Sequence, residues 1–299
     1  MNKSKIVIGT WPLSGDLGLV SVKEIYKTLE YCTKNDLNEF DTAPNYGNGI
    51  MEKYLGEVFN GDKRIIINTK CGNNSNNIKD FSYSALKKSF ENSLKRLRAQ
   101  SVNTLFLHNP RMKTNLLHEA IKFLREEKDN GRVKYCGISL PKDFNYNIKE
   151  LNNFDSIQND LNILYLDPII EQKYNKYNFF ARSPLATGIL AGKINSDTIF
   201  SNDDYRSTWL KGKRLKSIIK RVNVIKKNIN VDLPNFARQF LLQHNFPNKV
   251  IFGVKKSNHI DDILDDLNAD PIASTIMNKI LKLYIEDYGL SKEHKDLGY

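Results

Sequence analysis

Short runs of β-branched and aromatic residues alternate with stretches whose apolar positions recur every three or four residues, along the whole 299-residue chain. The strand-like runs fall at 5–11 (KIVIGTW), 38–43 (NEFDTA), 64–70 (RIIINTK) and 102–108 (VNTLFLH). Four more follow at 134–140 (KYCGISL), 155–160 (DSIQND), 179–185 (FFARSPL) and 249–254 (KVIFGV). Short runs of this kind predict strands buried on both faces. Between them, Leu86, Phe90, Leu94 and Leu97 form one apolar stripe in 82–98. Leu117, Ile121 and Leu124 do the same in 116–128, and Gly131 follows as a stop signal. Eight alternating units in a chain of this length predict a parallel sheet closed into a (β/α)₈ TIM barrel, one domain over 1–299. A doubly wound open sheet is the other architecture compatible with the alternation.

Two segments interrupt the repeat. Residues 186–232 exceed what a βα loop needs, and 271–299 read as an extra helix and tail. No Pro/Gly/Ser-rich linker divides the chain.

Composition narrows the class without naming a chemistry. Hydrophobic residues make up 40% and charged residues 26% of the chain, as in ordinary globular proteins. No apolar run approaches the roughly 18 residues that span a bilayer, so no membrane partner is expected. The opening MNKSK lacks a signal peptide's apolar region and cleavage site, so a cytoplasmic location is expected. Cys32, Cys71 and Cys136 have no CxxC spacing, which argues against a disulfide framework and a thiolate metal site. The net charge of +11 is spread along the chain. Its densest run, 211–227, carries Leu215, Ile218, Ile219, Val222 and Ile225 at helical spacing and predicts an amphipathic helix with a solvated basic face. That argues against a nucleic-acid partner, while a positive field suits a polyanionic small ligand. No exposed apolar stripe points to a particular oligomeric state.

Catalytic groups of a barrel sit where strands end. Here the second strand ends in Asp41 with Tyr46 shortly after it, the third at Lys70 and the fourth at His108. Singly, Asp41 reads equally well as a turn residue, Tyr46 as a half-buried aromatic, Lys70 as a solvated strand end and His108 as a core histidine. Together they form an acid–base set. An ammonium favours phenolate and so lowers a phenol's pKa. An aspartate holds that ammonium, and the tyrosine then protonates a carbonyl oxygen as hydride reaches carbon. The histidine orients the same oxygen.

Eight ordered motifs resemble the aldo-keto reductase superfamily over nearly the whole chain: IGTW (8–11), DTAPNYG (41–47), NTKCG (68–72), LFLHNP (105–110), GRVKYCGIS (131–139), IQNDLNIL (157–164), ARSPLATGILAGK (181–193) and IFGVKKS (251–257). The resemblance implies a barrel binding NADPH or NADP⁺ across its mouth, with NADH as the other donor; the absence of GxGxxG agrees. It implies Tyr46 as general acid, Lys70 as the group that tunes it, Asp41 as the lysine's partner and His108 as substrate orienter. Gly9, Thr10 and Trp11 would lie near nicotinamide and substrate, Ser139 and Gln158 on the carboxamide, and Arg182 against the nicotinamide ring. Ser183, Leu185, Thr187 and Gly188 would wrap the pyrophosphate. Gly253, Lys255, Lys256 and His259 would sit at the adenosine end, the two lysines gripping a 2′-phosphate.

The chain departs from the family pattern at Leu140, where Asn is usual, at Leu161, where Tyr is common, and at His259, Asp262 and Ile263 in the adenosine-contacting helix. The N-terminal hairpin that often plugs the barrel bottom is missing or shortened. The leading expectation is reduction of a carbonyl compound, a small-molecule substrate. Oxidation of an alcohol or sugar with NAD(P)⁺, a non-catalytic NADP(H)-binding regulatory barrel and a phosphate-binding isomerase or aldolase are the alternatives. The loops at 72–80, 109–115, 194–212 and 288–299 are rich in Asn, Lys, Asp and Ser, which favours a polar, sugar-like substrate.

Overall fold

The computed structural model describes residues 2–290 apart from 75, 77, 113, 142, 143 and 145. Part of the expected substrate loops at 72–80 and 109–115, and most of the tail 288–299, therefore lies outside the described residues. The eight strands are β1 (Ile6–Gly9), β2 (Glu39–Asp41), β3 (Ile66–Cys71), β4 (Val102–His108), β5 (Val133–Ser139), β6 (Ser156–Asp160), β7 (Asn178–Arg182) and β8 (Lys249–Gly253). They close into a barrel in sequential order, every pairing parallel. The (β/α)₈ architecture is thus present and the open sheet is excluded.

The helices are α1 (Val22–Lys34), α2 (Ile50–Val58), α3 (Tyr83–Leu97), α4 (Thr114–Asp129), α5 (Ile148–Leu151), α6 (Asp167–Ile170), α7 (Gly212–Lys226), α8 (Leu233–Gln243), α9 (Asn258–Asn268) and α10 (Ser274–Ile285). The stripe in α3 is buried as its spacing predicts. So is the apolar side of α7, with Lys213, Lys216 and Lys220 exposed opposite it. The long 186–232 segment holds α7 and two 3₁₀ turns, Ala186–Ala191 and Tyr205–Thr208. Among the described residues, the crossovers after β5 and β6 carry only single-turn helices, α5 and α6.

Several strands stop earlier than the apolar runs suggest. β1 ends at Gly9, because Pro12 cannot donate to a ladder and the chain turns into a 3₁₀ helix at Trp11–Ser14. β7 ends at Arg182, because Ser183 is left-handed (φ 56°). These early ends release polar side chains at the barrel mouth.

Inside the barrel, Val7, Phe106, Phe180 and Ile251 form a separate core, with Phe106 and Phe180 packed edge to face at 5.3 Å. The much larger core lies between strands and helices, and the three cysteines are buried as free thiols. At the bottom, residues 3–5 form one 3₁₀ turn, and no strand precedes β1 among the described residues. Instead, Lys249 Nζ donates to Glu39 Oε2 (2.7 Å) and Ser4 O (2.7 Å), and Asn68 Nδ2 donates to Glu39 Oε1 (2.9 Å). No described helix is long and apolar enough to cross a membrane.

Candidate active site

Strand register gathers the polar strand ends onto one rim. Asp41 lies opposite Asn68, His108 opposite Ser139, Ser139 opposite Gln158, and Asp160 opposite Arg182. Tyr46 is carried there by the tight turn between β2 and α2. That turn needs Gly47, whose φ is +57° and where a Cβ would stand 2.5 Å from Ile50 Cγ2.

Lys70 is the centre of the cluster, with 1% of its surface exposed. Its ammonium donates to Asp41 Oδ1 (2.6 Å), Thr42 O (2.8 Å) and Tyr46 Oη (3.2 Å). All three of its hydrogens are therefore used. Asp41 Oδ2 accepts from Gln158 Nε2 at 2.8 Å, and Thr10, just after β1, pins the same residue, its N and Oγ1 both donating to Asp41 O. His108 stands edge-on to Tyr46, the ring centroids 6.2 Å apart.

Burial governs the charges here. It pushes the Tyr46 phenol above its ordinary value, more strongly than Lys70 pulls it down. This reverses the net direction expected from the lysine alone, because desolvation disfavours phenolate. For Lys70 burial is the largest single influence and acts downward, but Asp41 and Tyr46 together hold the ammonium above its ordinary value. His108 is held well below 6.5 by burial, then by the charges of Lys70, Arg182 and Lys79, so its imidazole is neutral at pH 7. Its Nδ1 is buried without a hydrogen-bond partner among the described residues.

Arg182 makes a second cluster against the first. Its Nε donates to Asp160 Oδ1 (3.0 Å), Nη1 to Ser139 Oγ (2.8 Å) and Asn109 Oδ1 (2.9 Å), and Nη2 to Leu140 O (2.7 Å). Ser139 Oγ in turn donates to Gln158 Oε1 at 2.9 Å. Ser139, Gln158 and Arg182 therefore satisfy one another, and Gln158 links the two clusters. Asn109 and Asp160 belong to this cluster but not to the residues singled out from the sequence. Their signal was adjacency: Asn109 follows His108 in LFLHNP and Asp160 closes IQND.

The remaining candidates line the rim between β7 and β1. Ser183, Ala186, Thr187 and Gly188 are all left-handed (φ 56°, 48°, 55° and 92°), and Ala186 N donates to Ser183 O within this tight turn. Leu185 O caps this turn, accepting from Gly188 and Leu190 N. Trp11 Nε1 donates to Asp16 Oδ2 at 2.6 Å, and its ring meets Tyr205 at 5.9 Å. Gly9 and Gly253 are opposite each other in the β1–β8 pair, and a Cβ on Gly253 would come within 2.8 Å of Pro12 Cγ. Lys256 and His259 line a cavity of about 630 Å³ with Ser257, Leu19 and Val20. Lys255 borders it too, but its Nζ donates to Leu17 O and Gly18 O. The expected lysine pair is thus divided: Lys256 is exposed and Lys255 is tied to the loop after β1. Of the departures from the family pattern, Leu161 and Ile263 are buried in the core, and Asp262 O accepts from Arg238.

The sequence model of the Aldo/keto reductase family matches residues 5–285. A probable voltage-gated potassium channel subunit beta from Oryza sativa subsp. japonica is 26% identical, covering 93% of this chain and 92% of that protein. L-galactose dehydrogenase from Arabidopsis thaliana is 30% identical over 62% of this chain and 63% of its own. Among solved structures, the holo form of an aldo-keto reductase from Bacillus halodurans has the same fold, with a TM-score of 0.75 at 21% identity over 93% of this chain and 91% of that one.

Proposed function

The chain belongs to the aldo/keto reductase family, and we propose that it is an NADPH-dependent reductase of aldehydes or ketones in which Tyr46 is the general acid. One observation carries this reading: Lys70 donates to Tyr46 Oη over 3.2 Å, which leaves the phenol's own hydrogen for a substrate oxygen. The raised pKa keeps Tyr46 protonated at neutral pH. As the proton leaves, the ammonium already in place stabilises the phenolate without reorganisation. Asp41 and the Thr42 carbonyl fix that ammonium, and the neutral His108 has hydrogen-bonding capacity left to orient the carbonyl. A bound nicotinamide cofactor supplies the hydride that reaches the carbonyl carbon.

The residues present suit such a cofactor. The left-handed turn at 183–188 fits a pyrophosphate, and Lys256, Ser257 and His259 offer a basic, polar cavity to an adenosine 2′-phosphate. Gly9, Thr10, Trp11 and Gly253 border the path between them. Ser139 and Gln158 would hold the carboxamide once Arg182 shares or yields Ser139, and the Arg182 guanidinium would support the ring. With Lys255 tied to Leu17 and Gly18, preference for NADPH rests on Lys256, and NADH is the competing donor.

The polar loops favour a sugar-derived carbonyl, as does likeness to L-galactose dehydrogenase, which also keeps the oxidative direction in view. Likeness to a potassium channel subunit beta favours a second reading, an NADP(H)-binding regulatory barrel. The cytoplasm is the proposed compartment. NADPH absorbance decay with a panel of sugar and apolar aldehydes tests the proposal. Turnover lost in Tyr46→Phe is expected, and turnover unchanged in that variant overturns the general-acid assignment.

A further inference from the structure

A cavity of about 690 Å³ lies on the outer side of the barrel rim, between the loops after β5 and β6, α7 and the turn that follows α10. Small-molecule sites span roughly 300–1,000 Å³, and none of Asp41, Tyr46, Lys70 and His108 lines this one. Its wall mixes aromatic rings, Phe144, Tyr165, Tyr284 and Tyr288 among them, with charged side chains of both signs.

Most polar groups on the wall are already paired. Asp167 Oδ1 accepts from Tyr284 Oη at 2.7 Å, and Asp287 Oδ1 from Arg221 Nε at 3.1 Å. Two are not. Arg214 has no carboxylate partner among the described residues; its guanidinium lies over Trp209, 5.0 Å from the ring centroid, and its Nε is buried without a hydrogen-bond partner. Asp287 Oδ2 is buried and unpartnered as well. Buried polar atoms without partners are uncommon and ask for an explanation, an unseen ligand among them. An unpaired guanidinium beside aromatic faces complements a planar ring bearing a carboxylate. An unfilled carboxylate oxygen complements a hydroxyl on the same molecule.

We propose that this cavity is a second ligand site, for a small hydroxylated aromatic monocarboxylate, and that its occupancy is coupled to the catalytic rim. The inner wall supplies the coupling. Asp160 and Leu140 both line the cavity, and they hold two arms of Arg182, through Asp160 Oδ1 at 3.0 Å and Leu140 O at 2.7 Å. A ligand that shifts either residue shifts the guanidinium seated on Ser139, and the effect is reciprocal.

Calorimetric titration of the full chain, free of cofactor, with 4-hydroxybenzoate tests the binding. One saturable site is expected. Arg214→Met should weaken it by about tenfold or more, as loss of a charge-assisted contact does. Ile170→Trp should weaken it similarly, because Ile170 lines the cavity and is 40% exposed, so a larger ring there fills the space without disturbing a core. Tyr46→Phe should leave the affinity unchanged. The site is refuted by absence of binding, by wild-type affinity in both cavity variants, or by an affinity lost in Tyr46→Phe, which would put the anion at the catalytic tyrosine. Repeating the titration with saturating NADPH reads the coupling, and an unaltered affinity overturns that part. Should NADPH itself not bind, the reductase reading fails, and the cofactor-free titration still judges the cavity.

Discussion

Arg182 Nη1 stands 2.8 Å from Ser139 Oγ, so a guanidinium sits on the hydroxyl that a nicotinamide carboxamide is expected to use. Arg182→Met frees Ser139 and Asn109 and takes one guanidinium contact from Asp160, which is 2% exposed. Removing one partner of a buried pair is costly, and with Arg182 partly exposed a loss of about 2 kcal/mol in urea unfolding is expected. NADPH affinity, followed by fluorescence titration, should fall about tenfold through loss of the planar contact. Tighter binding instead would show that Arg182 only blocks the site.

Lys70→Met separates positioning from proton transfer. The substitution keeps the volume but removes the ammonium that holds Asp41 and faces Tyr46. Turnover is expected to fall about 10²–10⁴-fold, the range of general acid–base catalysis. NADPH binding should be little changed, since nothing in the proposed cofactor path contacts Nζ. A variant with a near-normal kcat would remove Lys70 from the chemistry.

The pH profile follows from the two shifted groups. Reduction needs Tyr46 protonated, and burial raises its pKa above the ordinary 10.0. It needs His108 neutral, and burial lowers that pKa well below 6.5. Both shifts widen the active window, so kcat/KM for reduction should be flat through neutrality. It should decline only on the acid side below 6.5 and the alkaline side above 10. Oxidation needs phenolate and should rise with pH throughout. An alkaline limb for reduction well below 10 would mean that Lys70 outweighs burial.

The barrel and its four central residues were legible because closure requires a repeating pattern, and because strand ends in such a barrel are where polar residues collect. Asp41, Lys70 and His108 end their runs of apolar residues in plain view. The Arg182 cluster was less legible. Its geometry depends on side chains at the ends of β4, β5, β6 and β7 meeting across register, which the adjacency of Asn109 to His108 and of Asp160 to the IQN run does not reveal. The net direction of the Tyr46 shift is not legible in the sequence for the same reason: a lysine's proximity can be inferred from spacing, whereas the depth of burial opposing it comes from packing. Lys255 illustrates the limit again, since its ties to Leu17 and Gly18 span more than 230 residues of chain.

Gly137 shows how tightly the barrel interior is filled. It lies opposite Phe106 in the β4–β5 pair, and a Cβ there would sit inside van der Waals contact of Phe106 Cδ1. Phe106 cannot retreat easily, being fully buried and packed edge to face on Phe180. Gly137→Ala is therefore expected to destabilise by about 1–3 kcal/mol, the usual cost of overpacking. Because Gly137 lies two residues before Ser139 on β5, the same strain should loosen the rim and raise KM. Phe106→Leu alone leaves a void and costs stability as well. Combined, the two changes should cost less than their sum, since the smaller side chain accommodates the new methyl. Additive losses in urea unfolding would show that the clash is relieved by backbone movement instead.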